Sequence, residues 1–97
     1  MSVIVIVEGN PNPSETVKLQ EYQKIARPII AKHGGEIVAR GSGLRSLAGS
    51  RKWQTGIVIR FPDEAAAQAW INDPDYQRVL PLRSSGYSDL EIYLFQE

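Results

Sequence analysis

Two side chains with clear chemical capacity, Tyr76 and Arg83, stand seven residues apart in the sequence. Seven residues make two helical turns, so a continuous helix would place this phenol and this guanidinium on one face. An arginine fork beside a phenol is suited to a carboxylate or an enolate. Arg40 ends an apolar segment just ahead of a basic loop. We therefore predict a site for an anionic ligand where Arg40, Tyr76 and Arg83 converge, with Trp70 in its apolar wall.

His33 is the only histidine, and the chain has no cysteine. Two interpretations of His33 stay open: an imidazole that is favourable beside the carboxyl end of a helix, or a group for ligand contact or proton transfer near the predicted site. A histidine-rich or thiolate metal site is excluded, as are a disulfide framework and a thiol nucleophile.

Residues 37–62 carry five positive side chains and no negative one. The segment includes Gly41-Ser42-Gly43, and glycines let backbone donors approach an anion. It lacks the Gly-Lys-Ser/Thr ending of a nucleotide-binding loop. The patch either draws a small anion to this end of the sheet or is a solvated loop balanced by acids elsewhere.

No other pattern of chemical interest emerges. No carboxylate cluster has metal-ligand spacing, no serine lies in a Gly-x-Ser-x-Gly turn, and no nucleotide fingerprint is present. We expect no metal and no organic cofactor, and the catalytic residues, if the protein has any, stay unassigned.

Length and charge narrow the class of protein. The 97 residues allow one domain, spanning 1–97, and 11 basic residues balance 11 acidic ones. A chain without net positive charge is a poor partner for nucleic acid. No apolar run approaches the ~20 residues that cross a bilayer, and no signal-peptide pattern is present. We expect a cytoplasmic protein without a membrane partner.

The elements that must position these residues are strands and helices. Val3 to Val7 reads as a strand that is apolar on both faces. Asn12 and Pro13 begin a helix that Pro28 should kink and Gly34-Gly35 should end.

Five further segments follow. In the strand from Glu36 to Gly41, alternation places Ile37 and Ala39 on one face and Arg40 on the other. The others are a strand from Trp53 to Phe61, a helix from Glu64 to Ile71, a short helix from Pro74 to Leu80 and a strand from Leu90 to Phe95.

This order predicts an α+β fold of the ferredoxin-like βαββαβ type, with an antiparallel four-stranded sheet and the first and third strands at its centre. Two helices cover only one face of such a sheet, yet the first strand is apolar on both. A second copy is the simplest cover, so we predict a homodimer formed through the sheet faces.

Several short motifs resemble a family catalogued as a domain of unknown function, number 1330, of the dimeric α/β-barrel superfamily. They are the helix with Tyr22, His33-Gly34-Gly35 leading to Val38-Ala39-Arg40-Gly41, Ile59-Arg60-Phe61-Pro62, Ala69-Trp70, and Asp75-Tyr76-Gln77 running to Leu80-Pro81-Leu82-Arg83. The resemblance implies a ferredoxin-like protomer, a homodimer and a cleft between sheet and helices, but no established activity.

Three functions stay open. The first is binding of a small anionic, partly apolar metabolite by His33, Arg40, Trp70, Tyr76 and Arg83. The second, by analogy of fold, is a cofactor-independent monooxygenase or isomerase. The third is a structural or stress-related dimer without a ligand.

Overall fold

The computed structural model describes residues 1–97 as four strands, four α-helices and one short 3-10 turn. No helix is long and apolar enough to span a membrane. The elements are β1 (Val3–Pro11), a 3-10 turn (Pro13–Glu15), α1 (Thr16–Lys32), β2 (Glu36–Ser42), β3 (Thr55–Phe61), α2 (Glu64–Ile71), α3 (Pro74–Arg78), α4 (Leu80–Gly86) and β4 (Tyr87–Gln96).

The four strands form one antiparallel sheet in the order β2-β3-β1-β4. The predicted ferredoxin-like α+β class is confirmed, with β1 and β3 at the centre. β1 and β4 are longer than their apolar runs predicted, since β1 continues to Pro11 and pairs there with Tyr87. Gly9 permits this extension, because a Cβ at that position would lie 2.7 Å from the ring of Tyr87.

The helix boundaries follow local signals with one exception. Asn12 accepts a hydrogen bond from the backbone of Ser14 and caps the 3-10 turn that leads into α1. α1 runs unbroken through Pro28. The short helix predicted from Pro74 to Leu80 is wrong in its extent, because α3 ends at Arg78 and a separate α4 begins at Leu80. Pro81 stands in the first turn of α4, where a missing backbone donor costs nothing.

The core lies between the helices and one face of the sheet. Phe61 of β3 and Tyr76 of α3 are fully buried. Trp70 of α2 packs between them, with ring centroids 5.5 Å from Phe61 and 5.2 Å from Tyr76. These three rings join β3 to α2 and α3, and their burial removes a large apolar area from water.

A one-residue irregularity at Val38 changes which side chains of β2 face the helices. Ile37 pairs with Ile59, and Ala39 pairs with Val58, the residue next to Ile59. The register of the two strands therefore shifts by one residue between Ile37 and Ala39. The simple alternation predicted for β2 is therefore wrong: Ile37 and Arg40 share the helix side, and Ala39 lies on the other.

The other face of the sheet carries apolar side chains and no helix. Ile4 and Ile6 of β1 lie there with Val58 of β3. Tyr93 and Phe95 of β4 pair with Ile6 and Ile4, are 66% and 48% exposed, and have ring centroids 4.9 Å apart. We call this surface, formed by Ile4, Ile6, Val58, Tyr93 and Phe95, the open face.

Asp73 joins the end of α1 to the start of α3. Its side chain is 2% exposed, accepts a hydrogen bond from Lys32 Nζ at 3.0 Å and lies 2.7 Å from His33 Nε2. Its second oxygen accepts from the backbone of Asp75 and caps α3. The hydrogen bonds from His33 and Lys32 hold the pKa of the Asp73 carboxyl well below its usual range.

Gly35 lies where α1 and β3 pack closely together. A methyl group there would lie 2.6 Å from Ile30 and 2.7 Å from the ring of Phe61, whereas one on Gly41 would meet nothing within 4 Å. Gly35→Ala is expected to lower the free energy of unfolding by ~1 to 3 kcal/mol through overpacking, as measured by urea denaturation. Gly41→Ala is the control, and an equal loss in both variants would contradict the packing described.

The Asp73 carboxylate should make the free energy of unfolding depend on pH in the acidic range. Because its pKa is lower in the folded than in the unfolded chain, its contribution is complete above the unfolded pKa of about 4 and is lost as the pH falls toward the folded value. Asp73→Asn keeps an acceptor for the cap but loses the charge, so its denaturation midpoint should fall less between about pH 4 and pH 2. Identical acid profiles for the two proteins would refute this role of Asp73.

Candidate ligand-binding cleft

Two neighbouring cavities lie between the helices and the sheet. The outer cavity, about 400 Å³, is lined by Val5, Trp70, Ile71, Arg83, Ile92 and Leu94 among others. The inner cavity, about 60 Å³, is lined by Tyr22, Arg27, Ile37, Arg40, Trp70 and Tyr87 among others. Trp70, Leu90 and Ile92 belong to the walls of both cavities, and we call the two cavities together the cleft.

Trp70, a residue of this shared wall, has an unsatisfied hydrogen-bond donor. The residue is 3% exposed, and its Nε1 is buried without a hydrogen-bond partner. Such a buried orphan costs roughly 1 to 3 kcal/mol relative to a satisfied group. Sequence analysis assigned Trp70 to the apolar wall of the site, and the residue lies in the wall that the two cavities share.

Tyr76 and Arg83 come together as their spacing indicated, although they stand on separate helices. Arg83 Nη1 donates a hydrogen bond to Tyr76 Oη at 3.1 Å. The guanidinium carbon lies 5.9 Å from the centroid of the Tyr76 ring. Arg83 is half-buried, has no carboxylate within ion-pair distance, and lines the outer cavity.

Tyr22 of α1 is a polar cleft residue that sequence analysis did not include among the candidate ligand-binding residues. Its hydroxyl lies 2.8 Å from that of Tyr76, and it lines the inner cavity. Burial, reinforced by the neighbouring Tyr76, raises the pKa of Tyr22 far above its ordinary value, so its hydroxyl stays protonated. The tyrosine itself was the signal available in the sequence, because a buried tyrosine hydroxyl requires a hydrogen-bond partner.

Arg40 lines the inner cavity, whereas Arg83 lines the outer one. The register shift at Val38 turns Arg40 onto the helix side of β2. Arg40 and Arg83 therefore line different cavities of the cleft, and Tyr76 lines neither. The guanidinium of Arg40 has no carboxylate within ion-pair distance.

His33 lines neither cavity. It is the residue after α1, and its contact with Asp73 ties it to the start of α3. Asp73, which lies three residues before Tyr76 in the chain, is therefore a structural partner of this imidazole.

The basic loop between β2 and β3 is exposed throughout most of its length. It borders a wide surface depression that contains Arg45, Arg51 and Lys52. Arg51 is paired with Glu91 at 3.0 Å and lies 4.6 Å from the centroid of the Trp53 ring. At least one cation of the loop is therefore balanced by an acid of the sheet, as the solvated-loop interpretation expects.

The charged groups that line the cleft are hydrogen-bond donors. Its lining contains two arginines in the inner cavity and one in the outer cavity, but no aspartate or glutamate. No group of three or more His, Asp or Glu side chains comes together anywhere in the structure. Apolar walls with convergent donors suit a small compound that carries oxygen acceptors.

Solved structures resemble this fold over nearly the whole chain. A protein of unknown function from Rhodopseudomonas palustris is 20% identical, with a TM-score of 0.84 over 99% of this chain and 82% of that one. A dimeric ferredoxin-like protein of unknown function from Jannaschia sp. CCS1 is 16% identical, with a TM-score of 0.77 over 100% of both chains. A DABB family protein from Mesorhizobium loti is 15% identical, with a TM-score of 0.68 over 99% of this chain and 96% of that one.

At such low identities these similarities concern the fold alone. No curated protein matches the sequence. The profile of one family, described as a domain of unknown function (DUF1330), matches residues 4–96 and so includes both walls of the cleft. The chain belongs to the DUF1330 family.

Proposed function

We propose that the protein is a homodimer that binds a small, partly apolar anion in the cleft between sheet and helices. The observation that carries this proposal is Arg83, a half-buried cation that lines the outer cavity and has no carboxylate within ion-pair distance. No aspartate or glutamate lines either cavity.

Arg83 provides the charge for such a ligand. Its guanidinium has five N–H donors, of which one is engaged by Tyr76. The others can bind a carboxylate without breaking that contact. A half-buried cation without an ionic partner is favourably completed by an anion, since charge-assisted hydrogen bonds are strong where water is scarce.

The outer cavity fits the body of a small molecule. Its volume of about 400 Å³ falls within the usual range of small-molecule sites. Val5, Ile92 and Leu94 contribute apolar wall. These walls favour a compound with a hydrophobic part rather than a bare inorganic anion.

The open face supports the homodimer. Its five apolar side chains form a contiguous surface on β1, β3 and β4 that no helix of the chain covers. Contiguous apolar surfaces of this kind mark interaction sites. The similar Jannaschia protein is described as dimeric, which supports the same assembly for this chain.

Ligand binding can be measured by thermal shift with aryl carboxylates and phenols, because a ligand that binds only the native state raises its melting temperature. Arg83→Ala should weaken a bound carboxylate by ~1.5 to 3 kcal/mol, the range of a charge-assisted hydrogen bond. Arg78→Ala is the matched control, since Arg78 is exposed and pairs with Asp75.

Two results would contradict this binding proposal. No shift with any compound of the panel would favour a structural dimer without a ligand. Equal affinity of the Arg83→Ala variant would exclude Arg83 as the anion site. Oxygen consumption with the phenols that bind would instead favour the cofactor-independent oxygenase.

The dimer can be tested at Ile6, which points to the open face and pairs with Val58 and Tyr93. Ile6→Lys should give a monomer by light scattering, because an unpaired charge is costly in a dry interface. The unchanged protein should have twice the 10.8 kDa mass of the chain. Val17→Lys, at a position 67% exposed on α1, is the control and should stay dimeric.

A further inference from the structure

The second half of the loop between β2 and β3 is fastened across one end of the sheet. Asn10 of β1 donates a hydrogen bond to the carbonyl of Lys52 at 3.0 Å, and its side-chain oxygen accepts one from the backbone of Gln54 at 2.8 Å. Arg51 continues this crossing to β4, where it lies 3.0 Å from Glu91. The loop is therefore held over the end of β1 as far as β4.

A row of four paired residues crosses the sheet beside this loop. Glu91 of β4 pairs with Glu8 of β1, which pairs with Gly56 of β3, which pairs with Gly41 of β2. Because Glu8 follows Ile6 by two residues, the row continues the open face. A Cβ on either glycine would meet nothing within 4 Å. Glu8 and both glycines line the wide depression that the loop borders, about 1080 Å³ in volume.

The tip of the loop, residues 44–47, exposes two leucines. Leu44 is 90% exposed and Leu47 is 95% exposed, and Arg45 between them is exposed as well. The turn is held locally, since Ser46 Oγ donates to the carbonyl of Ala48 at 2.8 Å. Leucine side chains gain free energy when they leave water, so this tip is suited to contact with another surface.

Glu8 and Arg45 are charged residues without an ionic partner in the protomer. Glu8 is half-buried, and the acid beside it, Glu91, already pairs with Arg51. Burial of the open face would remove water from the Glu8 carboxylate, and a buried charge requires a partner. A cation from outside the protomer can provide that partner.

We propose that the loop tip of each protomer docks in the depression of the other, so that Arg45 pairs with the partner's Glu8. Leu44 and Leu47 then lie against the floor formed by the two glycines. This inference rests on the homodimer of the proposed function and adds to it a second, reciprocal contact.

A second copy is the occupant that charge and position favour. The chain carries both halves of the contact, an acid in the depression and a base at the tip, and a two-fold axis repeats each such contact. The depression also adjoins Ile6 on the open face, so one partner covers both surfaces. With both tips buried, the assembly closes at two copies.

The apolar half of the contact can be tested by sedimentation equilibrium, which gives the dissociation constant of the dimer. Replacing both leucines, Leu44→Ser with Leu47→Ser, should raise that constant by about tenfold or more, because two buried apolar side chains are lost. Val17→Ser, at a position 67% exposed on α1, is the control and should leave the constant unchanged.

The ionic half can be tested by exchanging the charges. Glu8→Arg and Arg45→Glu should each raise the dissociation constant by about threefold to tenfold, since each places like charges together. The two substitutions combined re-form the pair with its signs reversed and should restore the dimer. Glu8→Arg with Lys24→Glu has the same net charge, but Lys24 is exposed on α1, so this control should not restore it.

The outcomes separate this inference from the proposed function. If the unchanged protein is a monomer, the homodimer is wrong and the loop contact with it. If Ile6→Lys dissociates the dimer but the leucine and charge variants leave the dissociation constant unchanged, the loop contact is wrong and the dimer through the open face stands. Restoration by Lys24→Glu as well would show an effect of net charge and would overturn the pairing of Arg45 with Glu8.

Discussion

The position of β1 between β3 and β4 is the constraint on which the rest of the molecule depends. From Val3 to Gly9, every residue of β1 pairs with β3 on one side and with β4 on the other, and Val5 lies opposite Ile59 and Leu94. This register sends Val3, Val5 and Val7 to the helices and Ile4 and Ile6 to the open face. A slip of one residue would exchange the two sets, so cleft and open face are specified together.

Polar chemistry in the cleft depends on two local departures from regular structure. The register shift at Val38 brings Arg40 to the helix side of β2. Regular alternation would have placed Arg40 on the face opposite to that of Ile37. The break between α3 and α4 at Val79 sets Arg83 on its own helix, from which it still reaches Tyr76. Both departures place a cation beside an apolar wall, which is an arrangement typical of a binding site.

The sequence predicted features that depend on neighbours along the chain. The apolar run of β1, the cap at Asn12 and the contact of Tyr76 with Arg83 all follow from short spacings. The shift in β2 could not be predicted, because it arises from pairing with β3. The contact between Tyr22 and Tyr76 could not be predicted either, since those residues are 54 positions apart and meet only when α1 packs on α3.

Under the proposed function, the half-buried guanidinium of Arg83 would link the lifetime of the protein to its ligand. In a molecule with an empty cleft this cation has no ionic partner, and a bound anion would supply one and stabilise the folded state. Empty molecules unfold more often, and in a cell the unfolded fraction is what proteases degrade. Under the proposed function, the number of copies present would rise with the concentration of the compound they bind, without any change in the rate of synthesis.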